Sequence, residues 1–178
     1  IIRLGDAEDA FAREGFSATF AGFDARADRL IMLNASRAET RFVPASTFKI
    51  PNSLIALEVG AVKDADEVFR YDGKPRRVAA WQKDMTLREA VTASNVPVFQ
   101  EIARRVGLEN YKAWLSKLDY GNRETGEIVD RFWLDGPLTI SAIEQARFLA
   151  RFAEQALPMS ARSQAIVRDI IRIEEKGG

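Results

Sequence analysis

An α/β fold, with a helical region beside an antiparallel sheet, is predicted by three features of this 178-residue sequence. Residues 17–24 and 29–34 are two runs rich in Phe, Thr, Ile and Leu, and the turn-like Asp24-Ala-Arg-Ala-Asp28 between them makes a hairpin. Residues 44–60 carry apolar side chains on nearly every face of a helix, the mark of an element buried in a core. Thr86-Leu-Arg-Glu89 and Ser141-Ala-Ile-Glu144 are capping boxes, each able to open a helix by satisfying its first backbone donors.

Taken in order, residues 1–15 read as a short amphipathic helix, with Ala7, Ala10, Phe11 and Phe16 near the helical period and Gly15 at its end. Arg41-Phe42-Val43 is a third short strand leading into Pro44. The helix that follows presents Phe48, Ile50, Leu54, Ile55, Leu57 and Val59, and Gly60 suits its C′ position. Pro51 lacks a backbone N–H, so the helix is expected to open irregularly or to kink there.

Val62 to Lys83 reads as polar and irregular, with a turn at Tyr71-Asp72-Gly73 and Trp81 as an anchor. The Thr86 helix ends at Ser94-Asn95-Val96-Pro97, because the residue before a proline is pushed out of the helical region. Pro97 suits N1 of the next helix, which turns Val98, Phe99, Ile102 and Val106 inward and stops at Gly107. Leu108–Leu118 is a further helix burying Tyr111, Trp114, Leu115 and Leu118. After a turn at Asp119-Tyr120-Gly121-Asn122 and a charged loop comes an apolar knot, Phe132-Trp133-Leu134-Asp135-Gly136. The Ser141 helix runs to about residue 155 and a last one from Ser160 to about residue 173. No repeat, low-complexity segment or linker divides the chain, so residues 1–178 read as one domain.

Composition narrows the chemistry. With 47% hydrophobic residues the chain can bury one sizeable core. Its 26 basic and 26 acidic residues leave no footprint for nucleic acid or an anionic membrane. No apolar stretch reaches spanning length. The sequence starts at Ile1 without a signal-like segment, so a targeting sequence is expected to have been removed or left out. There is no cysteine and no histidine, which excludes disulfides, a thiol nucleophile, the usual zinc sites and a Ser-His-Asp triad. Any hydrolytic base must be lysine, a carboxylate or tyrosine.

Within those limits Ser46 and Lys49 stand out. Three residues apart on a helix, they share one face, one turn from each other. Ser46 falls at the head of the helix, where unpaired N–H groups and the dipole favour negative charge. A lysine amine held neutral one turn away can take the serine proton. The same residues also suit an N-cap and a solvated first-turn lysine. Ser94, in the break between two helices, suits either a ligand contact or ordinary capping.

Ser46-Thr47-Phe48-Lys49, Ser94-Asn95-Val96, Tyr120-Gly121-Asn122 and Phe132-Trp133-Leu134-Asp135-Gly136 together decide more than any one of them. In order and spacing they resemble the class D, oxacillinase-type serine β-lactamases, a branch of the serine-lysine acyl enzymes. The flanks Pro44-Ala45, Ile50-Pro51-Asn52-Ser53 and Ile140-Ser141 are similar to that family too, and the likeness runs from about residue 10 to 175.

The resemblance implies the fold shared by serine β-lactamases and penicillin-binding transpeptidases, and hydrolysis of β-lactams through a serine acyl-enzyme. Ser46 would be the nucleophile and Lys49, carbamylated by CO2, the general base. Ser94 would relay protons and the Trp133 indole N–H would hold the carbamate. Phe48, Val96, Phe99 and Leu134 would form the apolar wall of the substrate site, with Tyr120, Gly121 and Asn122 as its support. No metal or other cofactor is implied beyond CO2 or bicarbonate. The partners would be β-lactams, with no nucleic acid and no membrane span, on a monomer or homodimer in the periplasm or outside the cell.

The family also carries a Lys-Thr-Gly strand beyond the last helix seen here. This sequence has none, and Lys176-Gly177-Gly178 lies too early and lacks the threonine. The C-terminal strands are therefore expected to be missing from this chain, which reads as part of a longer protein. A penicillin-sensing receptor domain has similar motifs, but carries a polar residue at the position of Val96. A helical interaction module with chance motifs is a reading from another class.

Overall fold

The computed structural model describes residues 1–3, 11 and 13–172. Its first sheet has the order β1-β3-β2, from Ile2–Arg3, Phe20–Asp24 and Arg29–Leu33. The expected hairpin is β2–β3, antiparallel from Phe20 opposite Leu33 to Asp24 opposite Arg29. Its turn is tied by Asp24, whose Oδ1 accepts from the Ala27 N–H at 3.1 Å and whose Oδ2 pairs with Arg29 at 3.1 Å. Strand β1 runs parallel to β3. The helix expected over residues 1–15 is therefore corrected at its start: Ile2 and Arg3 are paired in a sheet, and pairing with β3 outweighs local periodicity. Phe11 and Arg13 are helical and Gly15 has a φ of +74°, while residues 4–10 and 12 lie outside the described residues.

A short helix α1, Ala35–Glu39, follows the sheet and was not legible as a separate element. Strand β4, Arg41–Phe42, leads towards Ser46 as expected, but pairs with β7, Ile140–Ser141, rather than with the hairpin. That pairing delivers the chain into a 3₁₀ turn, Ala45–Phe48, which passes directly into helix α2, Lys49–Glu58. The irregular opening expected at Pro51 takes this form. Pro51 lies third in α2, two residues after Lys49, whose N–H is still bonded back into the 3₁₀ turn, and the helix continues through it to Glu58 without a break. Gly60 follows the C-cap Val59 with a φ of +74°, as a C′ glycine does.

Helix α2 is the axis of the core, with every residue from Pro51 to Leu57 buried. Helix α3, Leu87–Thr92, opens on the Thr86 capping box; α4, Val96–Val106, packs on α2, as does α5, Leu108–Leu118. Helix α6, Ala142–Ala153, opens on the Ser141 capping box and covers β2, and α7, Ala161–Ile170, packs on α2 and α3. Pro97 is the second residue of α4, one later than expected, because Asn95 supplies the cap. The stretch read as irregular contains β5, Val68–Phe69, paired with β6, Met85–Thr86, and a 3₁₀ turn at Ala79–Trp81. Two-residue strands have no period to read.

The two ends of the core are joined at Glu58. Its carboxylate accepts from the Ser160 N–H at 3.1 Å, the Ser160 hydroxyl at 2.6 Å and the Ser163 hydroxyl at 2.7 Å. Burial opposes its ionisation, but these bonds outweigh burial and hold the carboxyl below its ordinary range. A carboxyl with a depressed folded-state pKa contributes stability above its unfolded value and loses it as pH falls. Replacing Glu58 by Ala is expected to cost about 1–3 kcal/mol near neutral pH. Urea unfolding should show the difference from wild type shrinking as pH falls to about 3.

Candidate active site

The 3₁₀ turn and the first turn of α2 set the two central groups. Lys49 Nζ lies 2.9 Å from Ser46 Oγ. Ser46 is exposed at the surface, whereas Lys49 is buried, with 4% of its surface accessible. Burial alone lowers the lysine pKa from 10.5 to about 8. At pH 7 such an amine is about 10% neutral, against about 0.03% for an ordinary lysine. As an ammonium Lys49 donates to Ser46; once neutral, it can accept the Ser46 hydroxyl proton over the same distance.

Ser94 completes the triangle, its hydroxyl donating to Ser46 Oγ at 3.1 Å. The alternative that Ser94 merely caps the next helix does not hold. Asn95 is the cap, its Oδ1 accepting from the Val98 N–H at 3.2 Å, which leaves the Ser94 side chain turned to Ser46. Ser94 has a φ of +50°, and Ala45, beside Ser46, has a φ of +48°. Left-handed backbone at a residue with a Cβ is strained, by on the order of 1–3 kcal/mol. The surrounding fold imposes both. The Ala45 N–H donates to the Trp133 carbonyl at 2.9 Å, and the Trp81 indole N–H donates to the Ala93 carbonyl at 3.0 Å. The sequence marked Trp81 as an anchor but not its partner, because nothing in Ala79-Ala80-Trp81 shows which carbonyl an indole will reach.

Behind Lys49 stands an aromatic wall. The Phe99 ring centre is 5.4 Å from Lys49 Nζ. Phe48 stacks on Trp133 at 5.5 Å and meets Phe132 and Tyr120 edge-on at 5.3 and 5.7 Å. Phe48 and Phe99 are fully buried, which differs from the expectation of substrate contacts: Phe99 faces the Lys49 amine, and Phe48 packs among the rings of Trp133, Phe132 and Tyr120. Val96 and Leu134 are half-buried, with surface left to meet a ligand. Trp133 is buried, and among the described residues no protein group accepts from its indole N–H.

Tyr120, Gly121 and Asn122 lie beneath the site. Burial pushes the Tyr120 phenol well up, and its hydroxyl donates to Gln145 Oε1 at 2.9 Å. Asn122 clasps the chain after the Trp133 knot: its Nδ2 donates to the Pro137 carbonyl at 2.8 Å and its Oδ1 accepts from the Thr139 N–H at 3.0 Å. Gly121 has a φ of +56°, and a Cβ there would meet the Thr139 carbonyl oxygen at 2.1 Å. No cluster of potential metal ligands occurs among the described residues.

The penicillin-binding-protein transpeptidase domain family matches residues 13–178. The structure superposes with a TM-score of 0.91 on FUS-1 (OXA-85), a class D β-lactamase from Fusobacterium nucleatum subsp. polymorphum, at 43% identity over 95% of this chain and 70% of that one. The chain belongs to the class D β-lactamases. A class D β-lactamase from Bacillus subtilis superposes at a TM-score of 0.89 with 39% identity, over 94% of this chain and 70% of that one. Among curated relatives, β-lactamase OXA-5 of Pseudomonas aeruginosa is 50% identical over 79% of this chain and 53% of its own length. OXA-48 of Klebsiella pneumoniae is 48% identical over 81% and 54%. The chain thus spans about half the length of these class D relatives, and the expected transpeptidase-like fold is the one observed.

Gly121→Ala should be among the most damaging single-methyl additions to this class D domain. The clash with backbone cannot be relieved by a side-chain rotation, and about 3 kcal/mol or more of stability should be lost in urea titration.

Proposed function

We propose that this chain is the acylating part of a serine β-lactamase, hydrolysing β-lactams through an acyl-enzyme on Ser46. The observation that carries the reading is an exposed serine 2.9 Å from a buried lysine whose charged form is disfavoured. The names of the class D relatives support the substrate class, and favour turnover over a sensor that only holds its adduct.

Lys49 as general base takes the Ser46 hydroxyl proton while Oγ bonds to the lactam carbonyl carbon. The Ser46 N–H, at the head of the 3₁₀ turn, is one donor for the developing oxyanion. As the lactam C–N bond breaks, its nitrogen receives a proton through the Ser94 hydroxyl, which lies 3.1 Å from Ser46 Oγ. Water then attacks the ester, giving its proton to the base, and the acid leaves as Ser46 regains its hydroxyl. Val96 and Leu134 would flank the substrate, and the Tyr120, Gly121 and Asn122 segment holds the wall in place.

The lysine chamber also fits a carbamate. A neutral amine can bond to CO2, releasing one proton, and the carbamate oxygen is then a base in reach of Ser46. Such an anion needs donors in a dry site, and the Trp133 indole and the two serine hydroxyls are of the required kind. The other assignments are β-lactams as ligands, CO2 or bicarbonate as the only addition, action in the periplasm or outside the cell, and a monomer or homodimer.

In the intact protein, Ser46→Ala should abolish labelling by a fluorescent penicillin, and steady turnover of a chromogenic cephalosporin should exclude a sensor. Without bicarbonate, acylation should fall about tenfold for each pH unit below about 8, because only the neutral amine can act. Added ¹³C-bicarbonate should give a lysine-carbamate signal that Lys49→Ala lacks, and Trp133→Phe should need several-fold more bicarbonate. Absence of that signal in the wild-type protein at neutral pH would remove the carbamate from the mechanism.

A further inference from the structure

Two polar atoms of helix α2 are buried without a hydrogen-bond partner, Asn52 Nδ2 and Ser53 Oγ. Both residues are fully buried in the core. An orphaned donor in a dry interior is costly, and an apolar side chain of similar size would avoid that cost. Their helical positions give the pair a common neighbour. Asn52 and Ser53 are three and four residues after Lys49, so both lie on its face of α2. Helical side chains also lean towards the N-terminus, which carries these two under the lysine stem.

The Asn52 amide is oriented from outside the helix. The Tyr111 hydroxyl of α5 donates to Asn52 Oδ1 at 2.7 Å, which turns the amide N–H groups away from α5. Tyr111 also packs against Phe132 at 5.1 Å and Phe48 at 6.1 Å, the rings that carry Trp133. The amide is thereby joined to the wall of the lysine chamber.

The electrostatics of that chamber give the donors something to do. Lys49 is the only charged residue in the buried class among the described residues. On α4, Glu101, Arg104 and Arg105 are surface groups paired with one another or with Asp130 and Glu67. Glu58, at the far end of α2, is engaged with Ser160 and Ser163. Tyr111 is held protonated by burial. An anion on Lys49 therefore finds no buried cation among the described residues, and must be stabilised by N–H and O–H dipoles.

We propose that Asn52 and Ser53 are positioning residues of the lysine site. Oriented by Tyr111, their unpaired N–H and O–H hold one internal water beneath the Lys49 stem, and this favours the anionic carbamate over the free amine. The proposal rests on carbamylation of Lys49 as set out above, and it assigns a function to two groups that stability alone would discard.

The test is a ¹³C-bicarbonate titration of the intact protein at fixed pH, reading the lysine-carbamate signal, for wild type, Ser53→Ala and Tyr111→Phe. Ser53→Ala removes an unsatisfied hydroxyl, so it should fold and melt at or above the wild-type temperature. Both variants should need several-fold to about tenfold more bicarbonate for half-carbamylation, with KM for a chromogenic cephalosporin little changed at saturating bicarbonate. A purely structural role would move melting temperature and leave the bicarbonate midpoint at the wild-type value in both variants. That result overturns the proposal while leaving the carbamate mechanism standing. A wild-type protein with no carbamate signal fails at the earlier step instead.

Discussion

Everything in this domain is arranged around one costly placement, a lysine amine taken out of water beside a serine that stays in it. Desolvation is the whole cause of the lowered Lys49 pKa; no charged neighbour contributes. A surface lysine is almost wholly charged at neutral pH, so the appreciable neutral fraction of Lys49 exists only because the core encloses it. Helix α2 provides that enclosure by being apolar on nearly all sides, and α4, α5, α7 and the Trp133 knot close around it. The placement destabilises the fold relative to an apolar residue at Lys49, because the unfolded chain would hold its proton more tightly.

The rest of the architecture reads as support for that placement. Two short strands, β4 and β7, bring the segment before Ser46 next to the start of α6. Arg41 reinforces the junction, with Nε donating to Glu144 Oε2 at 3.0 Å. Glu144 also closes the capping box of α6 through the Ser141 N–H at 2.9 Å. One carboxylate thus fixes both a helix start and the approach to Ser46. The strained φ values at Ala45 and Ser94 persist because the Trp133 carbonyl holds the Ala45 N–H and the Trp81 indole holds the carbonyl of Ala93, next to Ser94.

The sequence was most legible where local chemistry is strong. The capping boxes at Thr86 and Ser141 start helices where expected, and the hairpin register follows its apolar runs. It was least legible where pairing is short or distant. Ile2–Arg3 looks helical by period, yet joins a sheet, and β5 and β6 are two residues each. The wall of the site shows the same division. Phe48 and Phe99 could be named as apolar neighbours of the motif, but only packing reveals that neither retains surface for a substrate.

What the sequence determined by itself was the inventory and the spacing. With no histidine or cysteine, a serine and a lysine one turn apart at the head of a buried helix were one of the few nucleophilic devices left, and three further motifs named the family. Only the tertiary structure decided that Ser94 turns to Ser46 instead of capping α4, that Phe48 and Phe99 are fully buried, and that Asn52 Nδ2 and Ser53 Oγ are buried without partners. The reason is physical. Spacing along a helix fixes which groups share a face, but desolvation and hydrogen-bond pairing depend on atoms brought from other elements, whose approach no local pattern encodes.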